Sequence, residues 1–461
     1  MKKNIIRSVC FVIITIFILG YVYKVLSWKD TTGDYLSSMT QLYETDDKLI
    51  DVMFAGSSHC YCSVDPARLW SESGIAAFDV AVSGQDKYST YHHLKEALKT
   101  QAPKVVCVEL YGLLFERHAV IGNEYRNMLA MKTSRNSVEL VNDYIDESNR
   151  SDYLLRWPIV HTRYRELDKY DFITMEYSTY GRGEALTDYS GSGHLNEWAS
   201  EVTDVATLSD SNVKWLNDMC NLADTEDFVL IFYFAPFYAT EEEQKIINAA
   251  KAYAVEHERL LVDFNELADA IGFEPFYDMC DDAHCNRRGQ DKITDWFNSY
   301  LSENFPLIDH RNDSRYYQWD MDVLYHSQLE QSTALSNTED FHDYLELLAN
   351  MDYTTTILSL DGDFKDCWTY LADYFGIDPK EAEKGGKWIY EFGEATKILD
   401  ADSNSDYIVI LNDFDAVKVS NLPIPSNIML NNTPKGCITD GLNILVYDNL
   451  SNKEISVNAT N

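Results

Sequence analysis

The chain has 461 residues, with 75 Asp and Glu against 38 Lys and Arg, and a formal net charge of -37. Such a length exceeds one ordinary core, so we expect two domains plus a terminal segment, and 13% aromatic residues argue against a disordered chain. The lack of a basic surplus excludes nucleic acid as an expected partner, because phosphate groups must be neutralised on binding.

Residues 1–28 are predicted to form a transmembrane helix. Three basic residues precede an uncharged run from Ser8 to Tyr23, and Lys24 follows it. The run is about 24 Å long as a helix, and a snorkelling Lys24 with the next apolar residues extends it to a full span. No small-residue cleavage site follows, which favours an uncleaved signal anchor over a cleaved signal peptide. Basic residues before the span predict a single-pass protein of the cell membrane, with its N-terminus inside and the bulk of the chain extracellular.

The first predicted strand ends in a run of small residues. Val52 to Ala55 is apolar and leads into Gly56-Ser57-Ser58-His59. Open α/β sheets place their reactive groups at the carboxyl ends of the strands. A serine on such a turn can expose its hydroxyl, and a neighbouring backbone N–H can stabilise an oxyanion. Gly-Ser-Ser is also common in ordinary turns, which leaves a plain turn as the alternative.

Strands and helices alternate from here to about residue 303. The second predicted strand, 76–82, leads into the small-residue turn Ser83-Gly84, and the third, 104–110, ends with Glu109 and a Tyr111-Gly112 turn. This alternation predicts a mostly parallel, doubly wound sheet. The other predicted elements are strands at 227–236 and 260–264 and helices at 63–70, 88–100, 241–258 and 287–301.

Two further regions differ from this pattern. Residues 116–215 lack strand alternation and are rich in Tyr, Arg and Trp, which predicts a helical insertion over the sheet edge, either a substrate cover or a purely structural element. Residues 325–461 are acidic and rich in Asn and Ser between short apolar runs, which predicts a separate α+β or mostly β module. Its predicted elements are helices at 341–349 and 367–375 and strands at 354–360, 407–411 and 442–447.

A second run, Asp281-Asp282-Ala283-His284, supplies the partners that a nucleophilic serine needs. A serine hydroxyl requires a base within hydrogen-bond reach and an acid that orients the base. We therefore predict Ser58 as nucleophile, His284 as base and Asp281 as orienting acid, with only the spacing favouring Asp281 over Asp282. The alternatives are a structural loop histidine and an acidic turn that caps the following helix.

Cysteines flank both runs. Cys60 and Cys62 follow the serine, and Cys280 and Cys285 bracket the Asp-His pair. In an exported chain a disulfide between the two runs is one interpretation, although the sequence cannot choose among pairings. A metal site that adds His59 and His284 is another, but this spacing is loose for zinc, and we predict no metal.

These runs resemble the SGNH (GDSL-type) hydrolase superfamily over about residues 48–303. Gly56-Ser57-Ser58 is similar to its first block, Gly84 to its second-block glycine and Asp281-x-x-His284 to its last block. The resemblance implies a flavodoxin-like three-layer α/β/α sandwich and an oxyanion hole formed by the backbone N–H groups of Ser58 and Gly84. It also implies a serine esterase or O-acyltransferase that needs no cofactor.

Two positions depart from the family pattern. Ser57 stands where the family usually has Asp, a change that resembles membrane-anchored relatives acting on teichoic acids and polysaccharides. The third-block Gly-x-Asn-Asp is absent after the third strand, where Glu109-Leu-Tyr-Gly112 stands, which leaves the third oxyanion donor unassigned. These relatives imply a cell-surface or exopolysaccharide glycan substrate and a multi-span membrane acyltransferase as partner. A catalytically inactive glycan-binding or scaffolding protein is the alternative.

The C-terminal module resembles the interleukin-like (FAM3 type) domain. Gly441-Leu-Asn-Ile-Leu-Val-Tyr-Asp448 is similar to that domain's Gly-x-Asn-x-x-Val-x-Asp strand, and 354–376 is similar to its strand, acidic turn and helix, although the order differs. The resemblance implies glycan binding. A structural or spacer role is the alternative.

Overall fold

We analysed a computed structural model of the chain, which divides into two compact units, residues 1–323 and 324–461. The described residues are 2–27, 37–115, 127–128, 131–167, 169–172, 180–183, 191, 201–362, 364–412, 415–421, 427–436 and 440–460.

The elements of the first unit alternate between helices and strands over much of its length. Its strands are β1 (Val52–Gly56), β2 (Ala77–Ala81), β3 (Val105–Glu109), β4 (Val229–Phe234) and β5 (Leu260–Asp263). Its helices are α1 (Lys2–Leu26), α2 (Ser37–Glu44), α3 (Ser58–Tyr61), α4 (Pro66–Ser73), α5 (Lys87–Ala97), α6 (Arg135–Tyr144), α7 (Arg150–Leu155), α8 (Trp157–Val160), α9 (Asp210–Glu226), α10 (Glu241–Glu256), α11 (Phe264–Leu267), α12 (Pro275–Asp278) and α13 (Arg287–Asn304), with 3₁₀ helices at Tyr111–Leu113, His161–Arg165, Lys169–Phe172 and Ser314–Tyr316.

The five strands form one parallel sheet in the order β2-β1-β3-β4-β5. This order is one of the two common orders of doubly wound sheets. In it, β2 is added on one side of β1, and the later strands are added on the other side, beginning with β3. The prediction of an α/β fold with a mostly parallel sheet is confirmed. The strand ends meet at one edge, where Gly56 pairs with Ala81, and this edge receives both predicted loops.

Both faces of the sheet are covered, which explains why its strands are mostly apolar on both sides. On one face Met53 packs in a core cluster with Leu94 of α5 and Met219 of α9. On the other face Phe54 packs with Phe297 of α13, their ring centroids 5.0 Å apart. Helices therefore lie on both sides of the sheet.

Several helices were absent from the sequence prediction, among them α2 and the long helix that follows residue 316. The stretch after the first helix reads as polar, yet α2 buries Met39 and Leu42 in the core. The helix α14 (Tyr317–Asn337) spreads its apolar residues around its circumference without a stripe, so it lacks the 3.6-residue period that marks a surface helix.

The region predicted as a helical insertion contains α6, α7, α8 and two 3₁₀ helices in its described part, and α9 begins within it. A buried ion pair fixes the segment 180–183: Arg182 Nε lies 2.8 Å from Asp322 Oδ2, and the Gly181 N–H donates to Oδ1 of the same carboxylate at 2.8 Å. Gly183, at φ +92°, lies so close to Asp79 that a Cβ there would be 2.1 Å from the Asp79 carbonyl oxygen. The rest of the region, at 116–126, 129–130, 168, 173–179, 184–190 and 192–200, lies outside the described residues.

Near its start the chain has an apolar helix. Residues Ile5–Leu26 of α1 form a 22-residue stretch that is long and apolar enough to span a membrane. The last turn of α1 packs against Ile159 and Val160 of α8.

The second unit contains two antiparallel sheets. One has the strand order β14-β13-β6-β7-β8 and the other the order β12-β11-β10-β9. Its helices are α15 (Phe341–Ala349), α16 (Lys365–Phe375) and α17 (Pro379–Glu383). Its strands are β6 (Thr354–Asp361), β7 (Gly386–Glu391), β8 (Glu394–Asp400), β9 (Tyr407–Ile410), β10 (Ala416–Val419), β11 (Ile428–Leu430), β12 (Thr433–Pro434), β13 (Gly441–Asp448) and β14 (Lys453–Thr460). The strand β13, which lies between β14 and β6, is buried along its whole length.

Candidate active site

Ser58 is the first residue of α3, directly after β1. Ser57 caps this short helix, because its side-chain oxygen accepts from the His59 backbone N–H at 3.3 Å. Ser and Asp are both favoured at the N-cap, so either residue at position 57 could supply this hydrogen bond. Ser58 itself is partly exposed, whereas Gly56, Ser57 and His59 are buried. Its hydroxyl is thus the accessible group of the run.

His284 lies against that hydroxyl. The loop between α12 and α13 places His284 Nε2 2.7 Å from Ser58 Oγ, although 226 positions separate the two residues. On the other side of the ring, Nδ1 lies 2.9 Å from Asp281 Oδ2. Because a carboxylate can only accept, Nδ1 carries the proton that it donates to Asp281, and Nε2 is left to accept from the Ser58 hydroxyl. The structure therefore brings together all three residues of the predicted triad.

Asp281 is held as a carboxylate. Burial acts to raise its pKa, but hydrogen bonds from His284 and from the backbone N–H of Ala283 outweigh it and lower the pKa well below its usual value. Its Oδ1 accepts from the backbone N–H groups of Ala283 and His284, each at 2.8 Å. Asp282 instead provides a backbone carbonyl, which accepts from the Tyr238 N–H at 2.9 Å. The geometry thus distinguishes the two adjacent acids.

The predicted oxyanion donors lie on neighbouring strand ends. Ser58 follows β1 and Gly84 follows β2, and the last residues of these strands are paired. Gly84 adopts a left-handed conformation at φ +65°, which favours glycine. Within the described part of the chain, the backbone N–H groups of Ser58 and Gly84 donate to no protein acceptor. Both N–H groups are therefore available to a ligand oxygen.

A buried polar network behind Gly84 was not anticipated from the sequence. His93, on α5, has Nδ1 2.8 Å from Gln85 Oε1 and Nε2 2.9 Å from the Asn127 carbonyl oxygen. The Asn127 amide donates to the Gly84 carbonyl oxygen at 3.5 Å. Burial lowers the pKa of His93 to about 4, so the ring is neutral near pH 7. This network holds the Gly84 turn from behind, and no motif marks its members.

One helix holds both reactive loops. The helix α13 starts directly after the histidine loop and is capped by the Asn286 side chain, which accepts from the Gly289 N–H at 3.2 Å. Its Gln290 donates to the carbonyl oxygens of Tyr61 and Val64, both at 3.1 Å. The stretch after Ser58 and the stretch that carries His284 are therefore fixed to the same helix.

Aromatic rings border the hydroxyl–imidazole pair. The His59 ring stacks on Tyr111 and lies 4.9 Å from the His284 ring, measured between centroids. Phe237 meets Tyr111 edge-on at 5.2 Å. Tyr111 is partly exposed, so it offers an amphipathic surface beside His59.

Glu109 ends β3, and its side chain is buried in the protein. Its carboxyl accepts from the Tyr111 backbone N–H at 2.9 Å. Burial raises its pKa to about 8, against hydrogen bonds from the backbone of Tyr111, Ala235 and Leu110. A Cβ on Gly56 would lie 2.7 Å from the Glu109 Cβ, so the carboxyl packs directly behind the serine turn.

The cysteines near the two loops are free thiols. Cys60, Cys62, Cys280 and Cys285 are all buried and form no disulfide, so the bridge considered from the sequence is not formed. Burial raises the pKa of each of these thiols. Within the described ranges, no group of three or more His, Cys, Asp or Glu side chains is placed to bind a metal ion, so the alternative metal site lacks a ligand set there.

Comparisons with known proteins add no relative. No protein-family model matches the chain, and no curated protein matches it.

Proposed function

We propose that the protein is a membrane-anchored extracellular serine esterase or O-acyltransferase that acts on a cell-surface or exopolysaccharide glycan through an acyl-serine intermediate. The observation that carries the proposal is the continuous hydrogen-bonded chain from Asp281 through His284 to the Ser58 hydroxyl. This arrangement of acid, imidazole and hydroxyl activates a serine for attack on an acyl carbonyl.

The proposed chemistry uses each group once in each half of the reaction. Ser58 Oγ attacks the acyl carbonyl while His284 Nε2 takes the proton of the Ser58 hydroxyl. Asp281 stabilises the imidazolium that forms. The backbone N–H groups of Ser58 and Gly84 donate to the developing oxyanion. The proton then passes from His284 to the leaving alcohol. In the second half His284 takes a proton from the acceptor, either water or a sugar hydroxyl, and the acceptor oxygen attacks the acyl carbonyl. The bond from this carbonyl to Ser58 Oγ then breaks, and His284 returns the proton to Oγ.

Several features support the family and the substrate class. The sheet order and the helices on both faces fit a flavodoxin-like sandwich, and the Ser57 cap fits the membrane-anchored relatives that handle polysaccharides. The partly exposed Tyr111 suits a sugar ring, because aromatic faces pack against the apolar face of a pyranose. In the transferase form, a multi-span membrane acyltransferase delivers the acyl group, and the interleukin-like module of the second unit binds glycan.

A fluorophosphonate probe on the full-length protein tests the proposal. We expect covalent labelling of the wild type and its loss in Ser58→Ala, with at least a hundredfold slower labelling in His284→Ala, since the hydroxyl then lacks its base. Ser71→Ala, at an exposed serine of α4, is the matched control and should label like the wild type. Labelling that survives in Ser58→Ala contradicts the proposal.

A second candidate is a non-catalytic SGNH-like protein that binds glycan or acts as a scaffold. The feature that favours it is the sequence Glu109-Leu-Tyr-Gly112 in place of the third block. This candidate predicts that the folded wild type is not labelled by the probe but still binds the polysaccharide, which can be measured by co-sedimentation.

A further inference from the structure

The junction between α1 and the rest of the first unit is fixed by a buried arginine. Arg163 Nη1 donates to the carbonyl oxygens of Leu26 at 3.1 Å and Ser27 at 2.7 Å, and Nη2 donates to Asp171 at 2.9 Å. The last carbonyls of a helix lack partners within the helix, so this guanidinium caps α1. In the same junction Tyr23 packs against Trp157, with ring centroids 5.7 Å apart.

Large apolar side chains are exposed around this junction. We call this surface the collar, and it consists of Leu154, Leu155, Tyr164 and Phe172, which are 42%, 65%, 58% and 58% exposed. Tyr164 and Phe172 belong to the 3₁₀ helices His161–Arg165 and Lys169–Phe172, both of which contact α1, and the two leucines end α7 just before α8, which also contacts it. Grouped exposed apolar side chains of this kind mark an interaction surface.

The charge of this region differs from that of the whole chain. Residues 150–172 contain five basic residues against four acidic ones, a local charge of +1 in a chain of -37. The basic residues are Arg150, Arg156, Arg163, Arg165 and Lys169. Tyr and Trp mixed with Arg and Lys are typical of protein segments that lie at a membrane–water interface, where amphipathic rings sit among headgroups.

The length of α1 places the collar at the level of the membrane–water interface. Its apolar stretch of 22 residues is about 33 Å long as a helix, close to the roughly 30 Å hydrocarbon core of a bilayer. A bilayer spanned by this stretch therefore ends near Leu26, where Arg163 and the collar begin.

We propose that the collar is a second membrane contact, which inserts Leu155, Tyr164 and Phe172 among the lipid headgroups of the bilayer that α1 enters. Bilayer lipid is the occupant, because the surface adjoins α1, and the Arg163 hydrogen bonds hold it beside the end of that helix. The proposal rests on the membrane anchoring by α1 proposed above and not on the chemistry of Ser58.

Photo-crosslinking of the full-length protein tests this contact. The protein is placed in nanodiscs of phosphatidylcholine and phosphatidylglycerol that include a phospholipid with a photoactivatable diazirine near its headgroup. After irradiation and proteolysis, mass spectrometry locates the lipid adducts. We expect adducts on α1 and on peptides from 150–172. Adducts on α1 without adducts on 150–172 overturn the proposal, and show that the collar faces water or a protein partner instead.

Charge substitutions make the test specific. In the triple variant Leu155→Glu, Tyr164→Glu and Phe172→Glu, we expect adducts on 150–172 to fall about tenfold, because carboxylates are disfavoured in this region, while adducts on α1 stay as in the wild type. Val255→Glu, at a 78% exposed valine of α10, is the matched control and should leave the pattern unchanged. If the triple variant loses thermal stability, Leu155→Glu alone replaces it. Undiminished adducts in a folded variant contradict the proposal.

Discussion

The two adjacent aspartates in the histidine loop show how single residues differ in role. Asp281 uses its carboxylate to accept from the His284 ring and from two backbone N–H groups, which orders the loop and fixes the imidazole tautomer together. Asp282 contributes its backbone carbonyl to the Tyr238 N–H. Spacing in the sequence favours the first over the second, and the hydrogen bonds give the physical reason.

Replacement of Asp281 by Asn is expected to slow fluorophosphonate labelling by about 10³- to 10⁴-fold. An amide can donate to Nδ1, which favours the wrong tautomer and removes the charge that stabilises an imidazolium. The rate of labelling under pseudo-first-order conditions measures this effect. Asp282→Asn is the matched control and should stay within about threefold of the wild type. Equal losses in both variants would show that loop charge, rather than ring orientation, matters.

Glu109 makes the stability of the first unit depend on pH. Burial raises its pKa from 4.5 to about 8, so the folded protein keeps a proton that the unfolded chain releases within this range. The stabilisation that comes from the proton on Glu109 is fully present below about pH 4.5 and is lost as pH rises towards 8. The free energy of unfolding then falls by at most about 1.4 kcal/mol per pH unit.

Glu109→Gln removes this titration and keeps an acceptor for the Tyr111 N–H. We expect the thermal midpoint of the wild type to fall between about pH 5 and pH 8 relative to that of the variant, because only the wild type must hold a proton there. Differential scanning fluorimetry of both proteins at several pH values measures the difference. Parallel pH profiles would show that the carboxyl is not protonated in the folded state.

At the scale of elements, the Arg182–Asp322 pair joins segments that lie 140 positions apart. The side chains are 2% and 0% exposed, and the Arg182 carbonyl oxygen also accepts from the Asp79 N–H on β2 at 2.8 Å. One short segment thus binds both the edge strand of the sheet and α14.

Arg182→Met should destabilise the first unit by about 3–5 kcal/mol, since it leaves the buried Asp322 carboxylate without its cation. Chemical denaturation followed by tryptophan fluorescence measures the change, because Trp319 lies beneath the guanidinium. Lys214→Met breaks an exposed ion pair with Asp218 on α9 and should cost less than about 1 kcal/mol. A similar small effect in Arg182→Met would mean that water or rearranged neighbours solvate Asp322.

At the scale of the whole molecule, the features that can be predicted from the sequence are those that a local pattern of residues determines. The five strands of the parallel sheet are mostly apolar, and all five were located from their apolar residues. The residues of the triad could be chosen because their order and spacing match a known arrangement. The contacts that Gln290, His93 and Arg182 make could not be predicted, because their partners lie far along the chain and the three residues belong to no periodic pattern.

Helix α13 begins directly after the loop that carries His284 and is hydrogen-bonded to the stretch that follows Ser58. The spacing of hydroxyl and imidazole is set by one helix and the few residues at its start, with Gln290 reaching back to the serine side. Residues 131–172, which lie between the two loops in the chain, make none of these hydrogen bonds. Insertions there can therefore grow, shrink or be exchanged to suit new substrates, while the reacting atoms keep their separation.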